Sequence, residues 1–439
     1  MFPEGRRLLR FDPEQEDDAD ARRRRTEGAR GPAEPTPAKD VDGPHGPLSG
    51  YARMTACEIA AAVGSGALSA RETAAAALDR ITRHDTVRAF TEPWPEAAAA
   101  QAAEVDRRVR AGERLPLAGV PLGVKATGGI GARQTRRLMQ AGCVPVGATS
   151  TPGRGTGWQT WGATDRGPTL NPHDARWSPG GSSAGSAAAV ATGIVPLATG
   201  SDGAGSVRIP AAWCSVIGLK PTNGPVPARD RAGLTIAGPL ARTAADAAAY
   251  LDALTDPTAR SRPVPPERPL RVTWSATLGF ADTLDRIGST AQAFLTALTG
   301  TGALIRQDVP VRLPDPAPCW SGLRGDSTVS PDVVKRRIAD LERELARVFT
   351  EVDLIATPTT PNPPHGHQGP GDVMSVALTW AFNVTGHPAI TLPAGTTAAG
   401  EPVGLQLIAR RHREADLLAV AAAVDAYAPA PARTGSPGA

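Results

Sequence analysis

Lysine is the scarcest charged residue in this chain. Of 47 basic side chains in 439 residues, only Lys39, Lys125, Lys220 and Lys335 are lysines; the rest are arginines. Together with abundant Ala, Gly and Pro, this bias reads as the mark of a GC-rich genome, and it makes each remaining lysine more informative. Cysteine is also sparse. Cys57, Cys143, Cys214 and Cys319 form no C-x-x-C pair, which argues against a disulfide framework or a zinc site and suits reduced thiols in the cytoplasm. A net charge of only +3 gives no global field for nucleic acid or a membrane surface. No apolar run reaches the length of a membrane span, and the N-terminus lacks the apolar stretch of a signal peptide. A soluble, cytoplasmic, loop-rich protein is expected, with 47 glycines and 43 prolines.

Residues 1–48 mix charges of both signs with Pro and Gly, including Arg22-Arg23-Arg24-Arg25 beside Glu16-Asp17-Asp18. Near-cancellation of charge predicts a disordered polyampholyte tail, then a single domain over residues 49–430 and a flexible C-terminus over 431–439. Helical spacing starts at Met54, and Ser69 with Glu72 three positions on makes a capping box for the next helix. A third helix is expected over 97–110. The apolar run Pro116 to Val124 reads as a short buried strand that ends on Lys125. Helices and strands then alternate: strands over 144–148, 194–198 and 216–219, and helices over 187–192 and from Thr243 as N-cap to Leu254. Segment 310–331 is Pro-rich and reads as irregular. The chain closes with a helix to Phe382, two strands and a final helix over 415–426. The alternation argues for one α/β unit on a mixed sheet.

Lys125 closes the apolar segment Val120-Pro121-Leu122-Gly123-Val124, which leaves little room for a solvated face. Strand-end lysines are ordinarily surface charges. A lysine that acts as a base must first lose its proton. From about 10.4 its neutral fraction at pH 7 is under ~one in a thousand, and a depression of ~3 units by burial makes it usable.

The stretch Ser178 to Arg208 carries two small-residue clusters, Gly180 to Ser186 and Gly203 to Ser206, separated by an alanine-rich helix and an apolar strand. Gly203, Ala204 and Gly205 have little bulk to keep backbone N–H groups around Ser206 from converging on a developing oxyanion, each such donor being worth ~10²–10³ in rate. An ordinary turn serine is the plainer reading. Asp202 and Arg208 either pair across the loop or stand as two exposed charges. Gly181-Ser182-Ser183-Ala184-Gly185 fits G-x-S-x-G, yet Asn171 to Pro179 before it are loop residues rather than the strand such an elbow follows. No pattern marks His365, His367 or His387 as its base. Gly203 to Arg208 fails as G-x-G-x-x-G, because Arg208 holds the last glycine position.

Taken together, these segments resemble the amidase signature family. The resemblance rests on PLAGVPLGVK (Pro116 to Lys125), NPHDARWSPGGSSAGSAAAVATG (Asn171 to Gly193), GSDGAGSVRIPAAWCSVIGLKPTNG (Gly200 to Gly224) and GPLARTAADAA (Gly238 to Ala248). Weaker matches extend it through FNVTGHPAITLPAG (Phe382 to Gly395) and PVGLQLIAR (Pro402 to Arg410). It implies an α/β fold, a mixed twisted β-sheet with helices on both faces, and an amidase that needs no metal and no cofactor. It also implies roles: Lys125 as base, Ser182 as a bridging serine after a cis peptide, and Ser206 as nucleophile, with an oxyanion hole from Gly203, Ala204, Gly205 and Ser206. Trp158 and Trp161 fall where family members line the acyl pocket, and are otherwise core aromatics. The implied partner is a small-molecule amide, with a homodimer left open.

Several positions depart from the family pattern. Ala126 follows the lysine where an Asp is usual, Asp202-Gly203-Ala204-Gly205-Ser206 replaces D-T-G-G-S, and Ala184 replaces a glycine. Gly142 follows Lys125 by only seventeen positions, where family members carry a longer segment. A weakly active partner subunit, the glutaminase subunit of a transamidation complex and a G-x-S-x-G esterase are the alternatives.

Overall fold

The computed structural model describes residues 50–256, 261–325 and 328–427. The expectations for the charged segment 1–48 and for residues 431–439 lie outside the described residues. Two capping boxes open the first two α-helices of the described residues: Thr55 and Glu58 exchange side-chain and backbone hydrogen bonds to open α1 (Ala56–Gly64), and Ser69 and Glu72 do the same for α2 (Ala70–His84). Each pairing satisfies amides that the first helical turn leaves without partners.

The remaining elements follow in order. They are β1 (Phe90–Pro93), α3 (Pro95–Arg110), β2 (Pro121–Lys125), α4 (Arg133–Gln140) and β3 (Val144–Thr149), then the short hairpin β4 (Ala163–Thr164) and β5 (Gly167–Pro168). Next come α5 (Ala184–Ala191), β6 (Leu197–Asp202), α6 (Arg208–Trp213), β7 (Ile217–Lys220), β8 (Ile236–Ala241) and α7 (Ala244–Thr255). The last third holds β9 (Leu270–Trp274), α8 (Asp285–Gly300), β10 (Leu304–Arg306), α9 (Ala317–Leu323), α10 (Pro331–Glu351), β11 (Leu354–Pro358), α11 (Ala381–Val384), β12 (Ala389–Thr396), β13 (Pro402–Ala409) and α12 (Glu414–Tyr427).

Eleven of the strands join one sheet in the order β1-β3-β2-β6-β8-β7-β12-β13-β11-β9-β10. It is mixed: β2 runs parallel to β3 and β6, whereas β8 lies antiparallel to β6 and β7. Successive side chains of a strand point to opposite faces, and the core obeys that rule. Leu354 and Ala356 pack into one apolar cluster while Ile355 between them packs into another; Leu407 and Ala409 divide from Ile408 in the same way. The sheet is therefore covered on both faces, as the α/β expectation requires. No helix among the described residues is long and apolar enough to cross a membrane.

Some boundaries differ from those read in the sequence. β6 begins later and runs through Thr199, Gly200 and Ser201 to Asp202, because β8 pairs with it over its whole length. β8 itself was not foreseen. Segment 310–331 contains α9, and the helix expected to end at Phe382 is the single turn α11.

α5 is buried along nearly its whole length, and its small residues allow that. A Cβ at Gly185 would run into the backbone carbonyl of Ala89 and the backbone amide of Ser150. Overpacking of this kind costs about 1–3 kcal/mol. Gly185→Ala is accordingly expected to lower the unfolding free energy by that amount, read in urea as a lower midpoint at unchanged m-value.

Candidate active site

Lys125 is the last residue of β2 and sits between β3 and β6, the two strands that pair with β2. Its backbone N–H donates to Thr199 Oγ1 at 2.8 Å. Its Nζ donates to Ser182 Oγ at 2.8 Å and to Ser201 Oγ at 3.0 Å, with the Ser201 carbonyl at 3.3 Å. The side chain is 2 % exposed. Burial, helped by the Arg229 guanidinium and opposed by Asp202, pushes the amine down from its ordinary 10.5 to about 7. Desolvation disfavours the charged form of a base, so this lysine is substantially neutral at neutral pH.

The partner serine follows a cis Gly181–Ser182 peptide. Glycine is required before it, since a Cβ at Gly181 would strike the backbone of Gln159 and Trp161. Trp161 is thus held against this peptide and donates its indole N–H to Thr156 Oγ1 at 3.1 Å. Trp158 packs over Gly369 instead. One residue on, the Ser183 N–H donates to the Ser206 carbonyl at 3.2 Å, which brings the two small-residue clusters side by side. The Ser182 and Ser206 hydroxyls make no hydrogen bond to each other.

A buried ion pair shapes the loop that carries Ser206. Arg208 meets Asp202 through Nε–Oδ2 and Nη2–Oδ1, both at 2.9 Å, and neither side chain is exposed. The carboxylate also accepts from the N–H groups of Gly205 at 2.7 Å, Val207 at 3.2 Å and Arg208 at 3.4 Å. Arg208 completes its donors with Thr379 O, Gln406 Oε1 and Asn383 Oδ1 at 2.9, 2.6 and 2.7 Å. Burial alone would raise the Asp202 carboxyl; the Arg208 charge and the hydrogen bonds from Arg208 and Asn383 overcome it and hold the group well below the usual carboxylate range. The exposed-charge reading of Asp202 and Arg208 is excluded.

This arrangement corrects one expectation. The Gly205 N–H is committed to Asp202 and is not an oxyanion donor. Ala204 and Ser206 are the half-exposed positions of the loop, and their amides have no hydrogen-bond partner among the described residues. Gly203 is buried and its carbonyl accepts from Trp320 Nε1 at 2.9 Å, while Thr379 Oγ1 donates to the Ala204 carbonyl at 2.5 Å.

The G-x-S-x-G reading also fails on geometry. Ser183 is fully buried, and among the described residues its hydroxyl has no hydrogen-bond partner and no strand leads into it. His365 hydrogen-bonds Thr160 Oγ1 and His387 hydrogen-bonds Thr385 Oγ1. Sequence reasoning missed Ser201, Thr199, Asn383 and Gln406. Thr199 and Ser201 carried a signal, two hydroxyls at period two next to a strand; Asn383 and Gln406 carried none short of the fold. Arg208→Met would leave Asp202 buried and unpaired. A loss of about 3–5 kcal/mol is expected in urea unfolding, with partial recovery in the Asp202→Asn/Arg208→Met double variant.

Comparison with known proteins points one way. The Amidase family profile matches residues 128–324 and 324–418, a match that starts just after Lys125. An acylamidase of Rhodococcus erythropolis is 32 % identical over 86 % of this chain and 96 % of its own length. Among solved structures, a bacterial aryl acylamidase of the amidase signature family superposes with TM-score 0.70 at 25 % identity, covering 85 % of this chain and 96 % of that one. The peptide amidase of Stenotrophomonas maltophilia superposes with TM-score 0.67 at 27 % identity, covering 86 % and 97 %. With that coverage and a fold shared over the same residues, this chain belongs to the amidase signature family.

Proposed function

We propose that this protein hydrolyses a small carboxamide through an acyl-enzyme on Ser206. The observation that carries the reading is the buried Lys125 Nζ at 2.8 Å from Ser182 Oγ, next to the loop that presents Ser206. A neutral Lys125 takes the Ser182 proton as Ser182 takes that of Ser206, a Ser–Lys form of nucleophile activation. The Ser206 Oγ–carbon bond forms, and the resulting oxyanion faces the unpartnered amides of Ala204 and Ser206. Collapse breaks the C–N bond, and the proton held on Lys125 returns through Ser182 to the leaving amine. Water then attacks the ester by the same proton route and frees Ser206; another amine in its place gives acyl transfer. The relay needs the Ser206 hydroxyl to turn toward Ser182 when substrate binds. The names of the relatives, acylamidase and peptide amidase, support an amide substrate.

That the Ser182 and Ser206 hydroxyls do not bond each other favours a second reading, a weakly active family member that works as a binding subunit. Turnover separates the two. Ser206→Ala is expected to abolish labelling by a fluorophosphonate probe and to lower kcat/KM by about 10⁴-fold or more; labelling that survives the substitution overturns the assignment. The pH profile gives an independent check. Protonated Lys125 accepts nothing, so kcat/KM is expected to be level above pH about 7 and to fall tenfold per unit below it.

A further inference from the structure

The two unpartnered amides of the Ser206 loop are aimed from behind. In a trans peptide the carbonyl oxygen and the N–H point in opposite directions across one rigid plane. Whatever holds the oxygen therefore also fixes the direction of the hydrogen. Every described peptide bond is trans except Gly181–Ser182. The Ser206 N–H shares its plane with the Gly205 carbonyl, which accepts from the Ile209 N–H at 2.7 Å. That half of the loop is set locally, by the backbone turn that enters α6. The Ala204 N–H shares its plane with the Gly203 carbonyl. There the donor is a side chain 117 residues away, the indole Nε1 of Trp320 at 2.9 Å.

The indole is itself held in place. Trp320 stands on α9, and Arg324 follows one turn on, on the same side of the helix. The Arg324 guanidinium lies 4.7 Å from the centre of the indole ring. It is anchored in turn on Asp230 Oδ2 at 3.1 Å and Thr235 Oγ1 at 3.2 Å. The buried Trp380 ring packs 6.4 Å from that of Trp320 at a tilt of 42°. Glycine at 203 gives the peptide plane little resistance of its own. A rotation there would turn a carbonyl, not an N–H, toward the place where an oxyanion forms. The indole N–H opposes that rotation, and by polarising the Gly203 carbonyl it makes the amide at the other end a stronger donor.

We propose, on the reading that Ser206 is the nucleophile, that Trp320 is a positioning residue of the oxyanion hole, its indole N–H holding the Gly203–Ala204 peptide so that the Ala204 N–H faces the reacting carbonyl. Trp320 moves no proton and forms no bond to the acyl group. It acts through the Ala204 amide, in the step where the carbonyl oxygen becomes charged. Its effect therefore belongs in kcat and not in the affinity for the ground-state amide. The Pro-rich segment that holds α9 thus reaches the chemistry through one hydrogen bond.

The test compares the full native chain with Trp320→Phe, which keeps an aromatic ring beside Arg324 and Trp380. A second replacement, benzothienylalanine at position 320, keeps the shape of the indole and lacks the N–H. Folding is checked by circular dichroism. One oxyanion donor is worth ~10²–10³ in rate, and loss of its support is expected to lower kcat about tenfold, with KM within about twofold of native. The rate of fluorophosphonate labelling falls by the same factor, while the acid limb of kcat/KM, set by Lys125, stays in place. Folded variants with native kcat and labelling rate overturn the proposal. So does a rise in KM alone, which would make Trp320 a wall of the substrate pocket. Failure of the underlying reading looks different. Label that persists in Ser206→Ala, or no label on the native chain, removes the nucleophile and this proposal with it. Label lost in Ser206→Ala but unslowed by both replacements of Trp320 removes this proposal alone.

Discussion

The paired charges of Asp202 and Arg208 set the shape of everything around Ser206. A carboxylate and a guanidinium taken out of water are costly unless every lone pair and proton is used. Here they are: two backbone amides next to Ser206, a third from Arg208 itself, and the side chains of Asn383 and Gln406 complete the set. The loop is thus held by electrostatics rather than by side-chain packing, which its glycines and alanine cannot provide. One consequence is that the Gly205 amide is consumed in holding the loop, and only the amides beside it stay free for chemistry.

Lys125 illustrates the opposite use of burial. Nothing acidic touches its amine; it has two hydroxyls and a carbonyl for company. A salt bridge would have fixed the proton, whereas hydroxyl partners leave the amine solvated enough to fold and neutral enough to react. Lys220 lies in a similar environment, buried and bonded to the Pro221 carbonyl and Asn223 Oδ1, and burial likewise lowers it to about 7. Depressed basicity alone therefore does not mark a catalytic lysine. What sets Lys125 apart from Lys220 is the Ser182 hydroxyl at 2.8 Å from its amine.

Legibility in the sequence followed the range of the interaction. The Ser69–Glu72 capping box and the Thr243 N-cap were readable because donor and acceptor lie three residues apart. Lys125 stood out because a lone lysine ended an apolar run. β8 was hidden by its own composition. It carries Gly238 and Pro239, residues that ordinarily weaken a strand; glycine is needed at 238 because a Cβ there would meet the Leu219 carbonyl of neighbouring β7. α9 was masked by prolines that sit at its start, where a missing N–H costs nothing.

The reach of Arg208 has a consequence for how the protein comes into being. Its guanidinium bonds Gln406, 198 residues further along the chain, and Asn383, 175 residues further along. A growing polypeptide emerges N-terminus first, and contacts of such long sequence separation are the last to be made. Ser206 is synthesised near the middle of the chain, yet the partners that complete its loop arrive only with β13. Until then Asp202 and Arg208 have no finished socket. The nascent chain carries Ser206 for roughly two hundred residues of synthesis before the loop around it can set, so the geometry proposed for that serine exists only in the finished molecule.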